Sequence, residues 1–280
     1  MDYRISTITT IASLNSLINL QKMYDSFKFN IDTNNIFYND TNNEVNIVDE
    51  IKFIEYGKTK DISNSKGINL KKGKKNTYKK KEKIKKRFDN QLTIVLQINN
   101  NNINMKLFKN GRVQMTGLKD INNGPIAIKF IINLIKKMNC DFLDIDQKSL
   151  DYNSYKICLI NSDFKFTSKL RRNKLFAFIN NNTELVCSYE PCIYPGVKIQ
   201  FFYNNSLDGI CRCENGYCSN KNKNSQCIKV TVAIFESGCT IITGAKSLDQ
   251  INTTYKYIKD LLVNNIEVFK KIDLDELLLE

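Results

Sequence analysis

Residues 103–119 read INMKLFKNGRVQMTGLK, and residues 230–246 read VTVAIFESGCTIITGAK. Five residues recur at one fixed offset of 127: Phe108, Gly111, Thr116, Gly117 and Lys119 answer to Phe235, Gly238, Thr243, Gly244 and Lys246. Matches at constant spacing mark an internal repeat, and a repeat decides architecture ahead of any local pattern. Each copy alternates apolar with polar residues, turns near its first glycine, alternates again and turns after Thr-Gly. This reads as two antiparallel strands leading into a helix.

The pattern extends outward from both kernels. Leu92, Ile94, Leu96 and Ile98 alternate with Thr93, Val95 and Gln97 ahead of the first, and Val197, Ile199 and Phe201 alternate with Lys198, Gln200 and Phe202 ahead of the second. Each set has the period of a strand with one face on a core. Behind the first kernel, Gly124-Pro125 opens a helical stripe of Ile126, Phe130, Ile131, Leu134 and Ile135. Behind the second, Ser247 is placed to cap a helix with Leu248, Ile251, Tyr255, Ile258 and Leu262 on one side. A shorter helix is legible in Leu20, Met23, Tyr24 and Phe27. The expected fold is α+β, with a first repeat over 1–150, a second over 151–265 and an acidic, amphipathic tail over 266–280.

Two stretches interrupt the symmetry. Residues 31–88 are Asn-rich and polar and end in a lysine run, so a largely disordered insertion is expected there. Residues 204–227 carry Cys211, Cys213, Cys218 and Cys227. That C-x-C-x4-C-x8-C spacing admits four thiolates around a structural zinc in a hairpin extension, with ordinary loop thiols as the alternative. No other cofactor is expected.

Composition narrows the function classes. The chain of 280 residues is 42% hydrophobic and has a net charge of +13 with no histidine. Ser-His-Asp and Cys-His catalysis are thereby excluded, and Thr-Gly-Ala-Lys lacks the upstream glycine of a phosphate loop, so an enzyme is not expected. Residues 71–87, KKGKKNTYKKKEKIKKR, hold a local net of +10, leaving +3 of the +13 for the rest. The charge points to an anionic partner, but most of it is confined to that segment. No window approaches a membrane span, and the N-terminus does not read as a secretion signal, so no membrane association and an intracellular protein are expected. The nine cysteines agree with a reducing compartment.

Strand parity identifies the face left for a partner. Ile103, Met105 and Leu107 share the core side, which turns Asn104, Lys106 and Phe108 outward. Ile228, Val230, Val232 and Ile234 likewise turn Lys229, Thr231, Ala233 and Phe235 outward. Thr116, Gln114 and Arg112 in the first copy, and Thr243, Ile241 and Lys198 in the second, belong to the same face. Donors, β-branched groups, cations and an aromatic together suit the floor of a DNA minor groove, which is read by shape and by A·T against G·C.

The two kernels, the segment Tyr189-Glu190-Pro191-Cys192-Ile193-Tyr194-Pro195-Gly196 and the segment Asp163-Phe164-Lys165-Phe166 resemble the TATA-box-binding protein family, whose order is YEPE(L)FPG and then IFxSGKxxxTGAK. The resemblance covers most of residues 3–29 and 91–265. It implies a curved, ten-stranded antiparallel saddle with helices on the convex face and double-stranded promoter DNA on the concave face. It implies also a transcription initiation factor that bends DNA as a monomer and recruits a transcription factor IIB-like protein and the RNA polymerase machinery.

Carried over by position, the DNA-intercalating residues are Phe108, Phe235 and Tyr194, with Gln91 standing where the family has a fourth aromatic and Phe88 nearby. Other DNA contacts fall on Thr116, Thr243, Gln114, Ile241, Arg112, Lys198, Thr7, Thr9, Gln91, Val95 and Gln97. The family's Asn in the first strand of each repeat aligns here with Thr7 and Ile157. The alternative function is a scaffold of the same fold that binds other transcription proteins and has lost sequence-specific DNA recognition. The Asn- and Lys-rich composition resembles that of a giant-virus protein, acting in the host nucleus or a cytoplasmic virus factory, with an AT-rich protist as the other source.

Overall fold

The computed structural model describes residues 2–30, 48–56, 64–66, 90–138, 141–213, 218 and 227–271. The elements run β1 (Arg4–Leu14), α1 (Leu20–Asn30), β2 (Val48–Tyr56), β3 (Asn64–Lys66), β4 (Gln91–Ile98), β5 (Asn101–Phe108), β6 (Arg112–Leu118) and α2 (Asn123–Lys137). They continue with β7 (Tyr152–Lys165), α3 (Arg172–Asn182), β8 (Val186–Ser188), β9 (Val197–Tyr203), β10 (Ile228–Ile234), β11 (Cys239–Ala245), α4 (Leu248–Asn264) and α5 (Ile266–Phe269). Two compact units emerge, one of residues 9–157 and one of residues 1–8 with 158–280. The division falls within β1 and β7, whereas the sequence placed it at 150/151.

In the first unit the strand order is β3-β2-β4-β5-β6-β1, and the β2–β3, β2–β4, β4–β5 and β5–β6 pairs are antiparallel. Leu92, Ile94, Leu96, Ile98, Ile103, Met105 and Leu107 are buried on one face, as their alternation requires. Ala127, Ile128, Ile131, Leu134 and Ile135 of α2 and Met23, Tyr24 and Phe27 of α1 are buried as well. Removing each large side chain from water contributes roughly 1.5–3 kcal/mol.

The second unit repeats the plan in the order β7-β11-β10-β9-β8. Val197, Ile199, Phe201, Val230, Val232, Ile234 and Ile242 face Ile251, Ile258 and Leu262 of α4 in its core, all fully buried. The Ser247 hydroxyl accepts from the Gln250 N–H at 3.3 Å, so the expected cap is present. Five antiparallel strands per repeat give the expected ten among the described residues, and β3 is an eleventh.

The duplication reaches individual hydrogen bonds. The Leu14 N–H donates to the Gly111 carbonyl at 2.8 Å, and the Phe166 N–H donates to the Gly238 carbonyl at 2.9 Å. The Ile18 N–H to Lys109 carbonyl bond of 2.9 Å is matched by Leu170 to Glu236 at 2.8 Å. Gly111 and Gly238 are required at these corners: their φ angles are +75° and +80°, and a Cβ on either would lie 2.5 Å from a backbone oxygen. The kernels match at 127, but these first-strand partners match at 152, the separation of Leu14 from Phe166 and of Ile18 from Leu170. Thr7 therefore corresponds to Leu159 and Ile157 to Ile5, which corrects the pairing of Thr7 with Ile157.

Two expectations change. β2 lies inside the stretch expected to be disordered, and its pairing with β4 gives the first repeat its fifth strand. The bulk of that stretch, including the lysine run at 71–87 and Phe88, lies outside the described residues, as do 272–280 of the tail. The tail does not begin as a free extension: Phe269 of α5 is fully buried, its ring centroid 5.7 Å from that of Phe178 on α3.

Candidate nucleic-acid interface

In the second unit, Phe235 closes the outward row at the corner between β10 and β11, where the Gly238 N–H donates to its carbonyl at 3.0 Å. Tyr194 arrives from the turn ahead of β9, and the two ring centroids are 5.8 Å apart with planes inclined at 58°. Gly196 makes this pairing possible, because a Cβ there would meet Tyr194 at 2.9 Å and Phe235 at 3.2 Å. The Lys198 ammonium sits 4.2 Å from the centre of the Tyr194 ring, a cation held over an aromatic face. Ile193, next to this pair, is 78% exposed.

Further along the same face the ladder sets Thr231 opposite both Thr243 and Gln200, and Ala233 opposite both Ile241 and Lys198. Thr243, Ile241 and Thr7 line a shallow depression of about 780 Å³ together with Asn161, Asp163 and Lys165. Asn161 escaped the sequence reading. Its buried Oδ1 has no hydrogen-bond partner, so an acceptor is left available on the outward side of β7. Asp163 accepts from Arg4 at 2.7 Å and brings a carboxylate to the same depression.

In the first unit Phe108 ends β5 directly opposite Gln91 on β4. The Gln91 Nε2 donates to the Thr93 hydroxyl at 3.4 Å, while its Oε1 is buried without a partner. Among the described residues this corner therefore has one aromatic where the other has two. Val95 and Thr116 flank Asn104, Gln97 pairs with Asn102, and Gln114 pairs with Lys106. The Asn104 Oδ1 is another buried acceptor without a partner. Arg112, Gln114 and Phe108 line a concavity of about 1050 Å³ with Lys109 and Lys156, two cations the motif comparison did not single out. Thr9 lies in β1 between the core residues Ile8 and Thr10, which places it on the outward side.

The corner below Phe235 is tied down electrostatically. Glu236 accepts from Arg172 at 3.0 Å and from Lys271 at 2.5 Å, and hydrogen bonding and charge from Lys271, then Arg172, hold its carboxyl below the usual range. At the far end of β9 and β10, Cys211, Cys213, Cys218 and Cys227 converge, with their sulfurs within 4.8 Å of one another. No described helix is long and apolar enough to cross a membrane.

The site thus belongs to a duplicated α+β protein whose outward sheet faces carry aromatic corners. The family model for transcription factor TFIID, or TATA-binding protein, matches residues 156–265. A "TATA-box-binding protein-like" protein of Acanthamoeba polyphaga mimivirus is 28% identical over 99% of this chain and 69% of its own length. "TATA-box-binding protein 3" of Methanosarcina acetivorans is 28% identical over 59% of this chain and 72% of its own. The solved Methanococcus jannaschii TBP covers 96% of this chain and 100% of its own at 17% identity, with a TM-score of 0.47. The chain is thus similar to TATA-box-binding proteins, and the family match falls on its second repeat.

Proposed function

We propose that this protein is a transcription initiation factor that binds promoter DNA through the outward sheet faces of its repeats, entering the minor groove and bending it. The observation that carries the reading is the Tyr194–Phe235 pair: two half-exposed aromatics in tilted contact at a strand corner, under a cation and away from the core. An aromatic wedge separates base steps at a cost of a few kcal/mol per step, offset when bent DNA covers more protein surface. Thr243, Thr231, Thr116, Gln114 and Gln97 supply the short polar groups that a groove floor of acceptors accommodates. Lys198, Arg112, Lys106, Lys109 and Lys156 supply phosphate contacts, and the lysine run adds a salt-sensitive, sequence-independent contribution. A transcription factor IIB-like protein and the RNA polymerase machinery are the partners this role implies, and the protein acts as a monomer on DNA in the host nucleus or a cytoplasmic virus factory.

A second reading, a scaffold of this fold that binds transcription proteins instead of DNA, is favoured by Asp163, whose carboxylate on the outward face opposes phosphate. Affinity for an A·T-rich duplex against a G·C duplex, measured with the full chain and with 71–87 deleted, separates the two. Selection of the A·T duplex that survives the deletion supports the first reading. Affinity that disappears with the lysines and never depended on sequence supports the second.

A further inference from the structure

We propose that Cys211, Cys213, Cys218 and Cys227 hold one zinc ion that clasps the loop between β9 and β10. The Cys211 and Cys213 sulfurs each lie 3.2 Å from that of Cys218, and Cys213 lies 3.8 Å from Cys227. Four thiolates about 2.3 Å from a tetrahedral zinc stand about 3.8 Å from one another, so the cluster is already close to the size of the coordination sphere. Disulfide pairing would draw the sulfurs together two by two at about 2.05 Å, and none of the described cysteines is so paired. The sulfurs converge as a group instead.

A second observation is independent of that spacing. Cys227, almost fully buried, accepts from the Asn204 Nδ2 at 3.3 Å and from the Arg212 N–H at 3.4 Å. Two donors aimed at one sulfur suit a thiolate, and such outer partners orient metal ligands. Asn204 is itself fixed: it donates to the Ile210 carbonyl at 2.8 Å and accepts from the Ser206 N–H at 2.9 Å. One asparagine thus folds the chain leaving β9 and braces the cysteine that precedes β10.

The ligands also sit where a cross-link is needed. Residues 204–227 join two paired strands, and hairpin connections of that length seldom hold themselves together. A metal bound by residues from both ends closes the loop next to the ladder. With four protein ligands the coordination is complete and no position is left for a substrate, so the site is structural. This inference does not depend on DNA binding.

The test is metal content of the full chain, purified from zinc-supplemented cells under reducing conditions without chelator. One zinc per chain is expected. Replacement by cobalt should give the intense visible absorption of a tetrahedral thiolate site. Cys213→Ser combined with Cys218→Ser should reduce bound metal at least tenfold, whereas Cys192→Ser and Cys239→Ser leave it unchanged. Should the double variant fail to fold, thiol counting on the wild-type protein decides: a strong chelator should expose four additional reactive thiols per chain. Absence of metal from the wild-type protein, retention of it by the double variant, or a native Cys213–Cys218 disulfide would each overturn the proposal.

Discussion

Tyr194 and Phe235 meet as a tilted pair at a centroid separation of 5.8 Å, against Gly196, which leaves no room for even a methyl group beside the rings. Their arrangement exists before any ligand is present, so the cost of ordering two aromatic side chains is met on folding. Truncating Phe235 should remove stacking of about 1–3 kcal/mol per base. The corresponding loss of affinity of Phe235→Ala for an A·T-rich duplex is roughly fivefold to 150-fold. Phe108→Ala should cost less, because Phe108 faces Gln91 where Phe235 meets Tyr194. Fluorescence anisotropy on both variants checks the order, and equal losses would contradict the asymmetry.

Gln91 faces Phe108 across the β4–β5 ladder with a buried Oε1 that nothing satisfies. Replacing it with phenylalanine removes an acceptor whose burial costs about 1–3 kcal/mol and restores a second ring at this corner. Gln91→Phe should raise the melting temperature and increase the bend measured by end-to-end energy transfer on a labelled duplex. A variant with unchanged bending would mean that Phe108 does not enter the helix.

Glu236 links the corner that carries Phe235 to the segment leaving α5, through Lys271 and Arg172. Its carboxyl lies below its ordinary value of 4.5 when folded, so the unfolded chain binds the proton more readily. The stabilisation is complete above pH 4.5 and is lost as the pH falls below it through the folded value. Exposure and salt keep the effect small. Amide protection over 266–271, taken relative to the intrinsic exchange rate at each pH, should fall on acidification below pH 4.5, and Glu236→Gln should show the lower protection already at neutral pH.

The legible and illegible parts of this chain differ for physical reasons. Both kernels were readable because period-two alternation and a fixed offset constrain the same residues twice, and Phe108, Phe235, Thr116 and Thr243 fall where parity put them. β2 was not, since register shifts between Val48 and Glu50 and between Ile51 and Phe53 break the alternation on which a strand is recognised. α5 was missed as a docked element because a four-residue helix has no period to detect; only the burial of Phe269 reveals it. Asn161 was hidden in an Asn-rich composition, where one more polar residue on an outward position carries no signal, and Asn104 was placed outward by parity without any sign that its buried acceptor is unsatisfied. Lys156 becomes part of the Phe108 concavity only through folding, since 48 residues of chain separate it from Phe108.

The Thr-Gly pairs of the kernels look equivalent in sequence but are packed differently. Gly117 and Gly244 both adopt left-handed backbone, with φ of +89° and +93°, so alanine at either costs roughly 1–2 kcal/mol on conformational grounds. At Gly117 the added Cβ would lie 2.6 Å from the Asn102 carbonyl oxygen, a contact that forces β5 and β6 apart. At Gly244 the nearest atom, the Lys229 carbonyl oxygen, is 3.1 Å away and needs to yield only a few tenths of an ångström. Gly117→Ala should therefore destabilise by at least about 1 kcal/mol more than Gly244→Ala, within the range known for overpacked sites. Denaturant unfolding of the two variants measures the difference, and identical midpoints would show that β5 and β6 separate as easily as β10 and β11.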